Sequence, residues 1–314
     1  MEYRQLGKVG PMVSLVGLGC NNFGGRIDAE ASRKVIHKAL DLGIIFFDTA
    51  ESYGTRGGSE ECLGRFLGDR RKDIVLATKF GLPFDGSPTL KGASPRYVKT
   101  AVEASLTRLK TDWIDLYQLH YPDPQTPIAE TLAALNDLIK QGKVRYIGCS
   151  NLWNAQVDEA QQAAQQLGLQ GFIGCQNEYS LLVRKAERDL YPAMQRHGLG
   201  FVPYFPLAAG MLTGKYQGNA ALPAGSRLAR LQHLAERFLT PANFTKVEGL
   251  RAFCAQRGRT LLQLASSWIA AQPLVASVIA GASTPEQLEQ NLHAVDWKMT
   301  PEELAEIDRI TRDG

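Results

Sequence analysis

Four side chains in this 314-residue sequence have the types needed to move a proton at a carbonyl group: Asp48, Tyr53, Lys79 and His120. A tyrosine hydroxyl ordinarily titrates near pH 10, too high for efficient donation at neutral pH. A neighbouring ammonium favours phenolate and lowers that value. Lys79 is the candidate for that charge, and Asp48 would pair with it and offset the cost of burial. His120 could hydrogen-bond a carbonyl oxygen and polarise it beside the tyrosine. Together they suit protonation of a carbonyl oxygen as its carbon accepts a nucleophile. None of them is a hydride source, so reduction by this route requires a cofactor. An aldolase reading, with Lys79 forming a Schiff base, uses the same residues.

The elements that must position them are short apolar runs, at 14–18, 44–49, 74–79, 114–120, 144–150, 172–177, 200–205 and 275–280. At their ends stand Asp48, Lys79, His120, Ser150, Asn151, Gln176, Tyr204 and Gly281. Any one of these is explained by a strand giving way to a loop; recurrence at successive ends points to a shared site. Between the runs, residues 28–42 and 128–141 carry apolar side chains at helical spacing, Val35, Ile36, Ala39 and Leu40 in the first case. Ser94-Pro95, Thr126-Pro127, Thr284-Pro285 and Thr300-Pro301 each offer a capping hydroxyl before a proline at the first helical position. Thr284 with Gln287, and Thr300 with Glu303, fit the reciprocal capping box.

Strands alternating with helices mean parallel βαβ units, and eight of them predict an α/β fold of the (β/α)8 TIM-barrel kind, with chemistry at the strands' C-terminal ends. Residues 1–314 read as one domain. Residues 3–6 and 12–13, around Gly7 and Gly10, predict a small hairpin closing the barrel's bottom. The stretches 80–93 and 208–240 read as long loops over the top. The rival is an open dinucleotide-binding sheet, but after Gly17-Leu18-Gly19 its third glycine position holds Asn22. A phosphate-binding P-loop is ruled out too, because Tyr216 follows Thr213-Gly214-Lys215.

At this point the sequence resembles a known family, the aldo-keto reductases. The likeness runs through Phe47-Asp48-Thr49-Ala50-Glu51-Ser52-Tyr53-Gly54, Ala77-Thr78-Lys79 and Asp115-Leu116-Tyr117-Gln118-Leu119-His120. It continues in the segment 142–151, in Gln176-Asn177-Glu178-Tyr179 and in the segment 281–291. In pattern it is similar to the branch with potassium-channel β subunits and bacterial inositol-cluster reductases. The resemblance implies NADP(H)-dependent reduction of aldehydes or ketones in a barrel, with NAD(H) use left open. Tyr53 would be the general acid, Asp48 and Lys79 its tuning pair, and His120 the carbonyl orienter. It also implies cofactor contacts. Ser150, Asn151 and Gln176 match partners of the nicotinamide carboxamide, with Asp48 beside them, and Tyr204 matches the ring that stacks on it. Pro206, Leu207, Gly210 and Lys215 match the segment that passes the pyrophosphate, with Phe205 beside them as a cofactor contact. Arg227, in the following loop, is either a further match or a solvated arginine, and Cys20 and Asn21 lie where cofactor and substrate are touched. Gly281, Ser283, Thr284, Gln287, Gln290 and Asn291 stand in the segment after the last strand, where some branches place Lys and Arg on the 2′-phosphate and the similar branch uses Ser and Gln with a terminal Asn.

Around that centre, Phe23, Phe84, Tyr121 and Trp153 follow strands and are candidate walls of the substrate pocket. The chain stops at Gly314, soon after Pro301-Glu302-Glu303, which predicts an open pocket mouth that discriminates weakly among small aldehydes. A cofactor-binding regulatory subunit with little turnover is the other reading that this branch suggests. Composition excludes further classes. With 35 Lys+Arg against 32 Asp+Glu the net charge is +3, which does not point to nucleic acid or a membrane as partner. No run approaches the roughly 20 apolar residues of a membrane span. Five scattered cysteines make no disulfide framework, and five histidines show no metal-ligand spacing, so the expectation is a cytoplasmic enzyme without metal, whose partner is a small carbonyl compound. Nothing in the pattern sets an oligomeric state.

Overall fold

The computed structural model describes residues 1–55, 57–82, 91–218 and 220–312. The chain opens with β1 (Tyr3–Gln5) and β2 (Met12–Ser14), paired antiparallel with Tyr3 opposite Ser14. Leu6 and Val13 insert among apolar side chains inside the barrel, and the Lys8 N–H donates to the Gly198 carbonyl. Gly7 has φ +66°, and a Cβ there would lie 2.4 Å from the Ile173 carbonyl oxygen. Glycine is what lets this hairpin approach the barrel so closely.

Eight parallel strands follow: β3 (Val16–Gly19), β4 (Phe46–Asp48), β5 (Val75–Phe80), β6 (Ile114–Leu119), β7 (Val144–Ser150), β8 (Gly174–Gln176), β9 (Gly200–Phe201) and β10 (Val278–Gly281). Their order is β10-β3-β4-β5-β6-β7-β8-β9. The ring closes through a parallel bridge between Phe201 and Val275, with the Phe201 N–H donating to Leu274 O at 2.7 Å and the Ala276 N–H to Phe201 O at 2.9 Å. The architecture is the expected (β/α)8 barrel. Some ladders are shorter than the apolar runs. After β9, Pro203 has no N–H to donate, although Val202 and Tyr204 still bond to Cys175 and Asn177.

The helices are α1 (Ala29–Asp41), α2 (Gly58–Phe66), α3 (Pro95–Leu109), α4 (Ile128–Lys140), α5 (Asn154–Gln166), α6 (Lys185–Asp189), α7 (Tyr191–His197), α8 (Arg227–Arg230), α9 (Gln232–Phe238), α10 (Pro241–Ala255), α11 (Leu261–Ala270), α12 (Pro285–His293) and α13 (Pro301–Thr311). On α1, Val35, Ile36, Ala39 and Leu40 form the buried face that the spacing predicts. Ser94, Thr284 and Thr300 cap their helices as expected. Two details differ. The Thr126 hydroxyl donates to Asp123 instead of capping α4, because that carboxylate folds back over the turn. Gln287 accepts from the Ser283 N–H, so the box expected at Thr284 is not closed. The stretch 208–240 is also not simply loop: a 3-10 turn (Ala208–Thr213), α8 and α9 lie within it. No helix among the described residues is long and apolar enough to cross a membrane.

Candidate active site

Strand side chains alternate between the barrel interior and the helix layer. Phe46, Ala77 and Leu116 belong to the interior apolar cluster, and two residues on from each stand Asp48, Lys79 and Gln118. The inward face thus turns from apolar to polar as each strand nears its C-terminal end. The polar side chains are buried and bond to each other. Lys79 Nζ donates to Asp48 Oδ2 at 2.6 Å, to Thr49 O at 2.9 Å and to the Tyr53 hydroxyl at 3.4 Å. Asp48 Oδ1 accepts from Gln176 at 2.9 Å and from Gln118 at 3.3 Å. Gln118 went unassigned in the sequence, although its place two residues before His120 marks it as inward-facing.

Electrostatics set the protonation states. Burial disfavours the Lys79 ammonium, but Asp48 and Tyr53 more than offset it and hold the lysine above its ordinary range. At Tyr53 the expectation is corrected. Burial raises the phenol, Lys79 opposes this, and the net shift is upward from the usual value. Burial and then Lys79 push His120 down to about 3, so its imidazole is neutral. His120 Nδ1 is buried without a hydrogen-bond partner among the described residues. The rings of Tyr53 and His120 meet edge-on, with centroids 5.8 Å apart.

Tyr53, Asp48 and His120 line a cavity of about 890 Å³ at this end of the barrel, while Lys79 lies fully buried behind them. Along its wall stand Ser150, Asn151, Gln176 and Tyr204. They are cross-linked: Ser150 Oγ donates to Gln176 O, Asn151 Nδ2 to Ser150 Oγ, and the Tyr204 hydroxyl to Asn151 Oδ1 at 2.8 Å. Asn151 holds φ +62°, a conformation asparagine tolerates better than most residues. Phe205, Pro206, Leu207, Gly210, Lys215 and Arg227 continue the lining. Phe205, Ala208 and Ala209 all have positive φ, a concentration of strain of the kind found at ligand clamps. Asn21, Gly281, Ser283, Gln287, Gln290 and Asn291 complete the far end, where Asn291 Nδ2 is buried and unpartnered among the described residues.

Several sequence assignments do not reach the cavity. Cys20 is buried beside it, with Sγ turned toward Leu18 O. The Thr284 hydroxyl is occupied in capping α12. Phe23 is fully buried in the core between barrel and helices. Trp153 packs outside, under the Lys185 ammonium 4.2 Å from its ring. Of the proposed walls, Tyr121 lines the cavity and stacks near His120, while Phe84 lies outside the described residues. The sequence reading missed Asn22, Glu178, His233 and Arg237 as lining residues. Glu178 stands two residues beyond Gln176, a spacing that could have found it. Arg237 on α9 bonds Glu178 at 2.7 Å.

Over residues 15–312 the sequence matches the Aldo/keto reductase family. The chain belongs to that family. A probable voltage-gated potassium channel subunit beta of Arabidopsis thaliana is 40% identical, over 99% of this chain and 96% of that protein. The L-glyceraldehyde 3-phosphate reductase of Escherichia coli (strain K12) is 34% identical, over 100% of this chain and 93% of that protein. The uncharacterized oxidoreductase YrpG of Bacillus subtilis (strain 168) is 36% identical, over 99% of this chain and 96% of that protein. Membership makes this aldo/keto reductase an oxidoreductase of carbonyl compounds.

Proposed function

We propose that this aldo/keto reductase reduces aldehydes and ketones with NADPH, Tyr53 giving the proton to the carbonyl oxygen. The observation that carries the reading is the Lys79 ammonium, a buried cation bonded to both Asp48 and the Tyr53 hydroxyl behind the cavity wall. NADPH, when bound, supplies the hydride. Burial keeps the proton on Tyr53 until a developing alkoxide comes within hydrogen-bond reach, and Lys79 stabilises the phenolate left behind. Neutral His120 orients the carbonyl oxygen without competing as the acid.

The cavity's residues fit such a cofactor. Ser150, Asn151 and Gln176 would hold the carboxamide and Tyr204 the nicotinamide face. Lys215, Arg227 and the strained segment from Phe205 would hold the pyrophosphate. Arg26 and Arg227 both line the cavity, repel each other, and have no carboxylate partner among the described residues, so an anion complements them. Ser283, Gln287, Gln290 and Asn291 would meet the adenosine end, where the unpartnered Asn291 amide awaits an acceptor. The positive end of the α12 dipole would favour the 2′-phosphate of NADPH, although Pro285 has no N–H and the Gln287 N–H already bonds the Thr284 hydroxyl.

Lys79 is 0% exposed and held as ammonium, which argues against the Schiff-base aldolase. A cofactor-binding regulatory subunit is the second reading, favoured by the channel-subunit name of the Arabidopsis relative. Five buried free cysteines fit a cytoplasmic setting. The deciding experiment is a panel of aldehydes, ketones and alcohols with NADPH and NADH, followed at the nicotinamide absorbance. NADPH oxidation by small aldehydes, slower with ketones, is expected. Tight NADPH binding with no turnover across the panel would transfer the protein to the regulatory reading.

A further inference from the structure

We infer that Glu51 is a positioning residue for the reaction, clipping the loop that carries Tyr53 to the strand end that carries Lys79. The inference rests on the assignment of Tyr53 as proton donor. Glu51 is 2% exposed and does not line the cavity. Its backbone N–H donates to Lys79 O at 3.0 Å, and its Oε1 accepts from the Gly81 N–H at 2.8 Å. One residue therefore grips the chain on both sides of Phe80, at the end of β5 and just past it. The same Oε1 accepts from the Tyr97 hydroxyl at 3.0 Å, tying in α3. Two residues along the chain, the Tyr53 N–H closes a turn onto Ala50 O at 3.0 Å. The Tyr53–Lys79 contact itself is 3.4 Å, near the limit of a hydrogen bond, so a small slip of the loop would break it.

The titratable groups that face Glu51 among the described residues come from three elements, Tyr97 and Arg108 on α3, Glu60 on α2 and Tyr117 on β6, while Lys79 meets it only through its backbone carbonyl. Arg108 and the Thr78 hydroxyl bond Glu60 at 2.7 and 2.5 Å. Burial, the largest influence, pushes the Glu51 carboxyl up to about 7, with Glu60 adding and Gly81, Tyr97 and Arg108 opposing. Protonation weakens both bonds at Oε1, because hydrogen bonds to an ionised acceptor are the stronger kind. The clip therefore tightens as pH rises through neutrality.

The test follows kcat against pH, NADPH affinity, and amide hydrogen exchange at Gly81 by NMR, in the full-length wild type, Glu51→Gln and Tyr97→Phe. In the wild type, kcat and Gly81 protection should rise together through a limb near pH 7. Glu51→Gln should lose that limb in both readouts, with kcat about tenfold lower and NADPH affinity unchanged. Tyr97→Phe removes a donor that favours the carboxylate, so its limb should move to higher pH. Persistence of the limb in Glu51→Gln overturns the inference, and so does Gly81 protection that is flat with pH in the wild type. Failure of the reductase reading looks different. Turnover would be missing in the wild type, or would survive in Tyr53→Phe, while Gly81 still titrates; the clip would then exist without its catalytic role, which also overturns the inference.

Discussion

The Lys79 ammonium lies 3.4 Å from the Tyr53 hydroxyl and 4.8 Å from the centre of its ring, and the phenol still holds its proton more tightly than an ordinary tyrosine. Burial outweighs the adjacent cation. An acid of this kind does not leak its proton at neutral pH and releases it only to a base formed beside it, with Lys79 already in place to stabilise the anion.

Replacing Tyr53 by Phe removes the donor and keeps the ring. Carbonyl turnover should fall by roughly a hundredfold or more while NADPH binding, read by fluorescence titration, stays within a few-fold of wild type. Near-normal turnover would remove Tyr53 from the chemistry.

Lys79→Met leaves Asp48 buried without its cation, which costs about 3–5 kcal/mol. The double variant with Asp48→Asn should recover part of that loss, because the amide needs no counter-charge. Urea unfolding measures both. A single variant less than about 1 kcal/mol below wild type would mean that Asp48 reaches solvent or another cation.

His120 sets an acid dependence of stability. Its folded value of about 3 lies below the ordinary imidazole value, so between the two the unfolded chain binds more protons. The stability contributed by the neutral ring is complete above about pH 6.5 and is lost as pH falls toward 3, reaching about 2 kcal/mol lost at pH 5. His120→Asn should therefore show a smaller drop in Tm between neutral pH and pH 5. An identical drop would place the imidazole in contact with water.

For the cofactor, kcat/KM with NADPH should exceed that with NADH, and Asn291→Ala should weaken both about fivefold through loss of one hydrogen bond. Equal kcat/KM for the two cofactors would show that the residues around Ser283 and Gln287 do not read the 2′-phosphate.

Sequence alone determined which strand-end side chains face the barrel interior, because strand alternation is local and strict. If Phe46, Ala77 and Leu116 point inward, Asp48, Lys79 and Gln118 must as well. Helix starts at Ser94, Thr284 and Thr300 were legible for a similar reason, since each cap is made within a few residues of itself. Loop residues past the strands carry no period. Phe23 faces the core because the next residue, Gly24, packs backbone to backbone against Gly58, where a Cβ would come within 2.4 Å. Trp153 turns outward to a lysine more than thirty residues further along the chain. The helices α8 and α9 are too short for periodicity to reveal, and their link to the barrel, Arg237 with Glu178, joins residues 59 apart. The sign of the Tyr53 shift was likewise a tertiary matter. Residue types name the charge that pulls one way, but the burial that outweighs it exists only once the loop closes over the barrel.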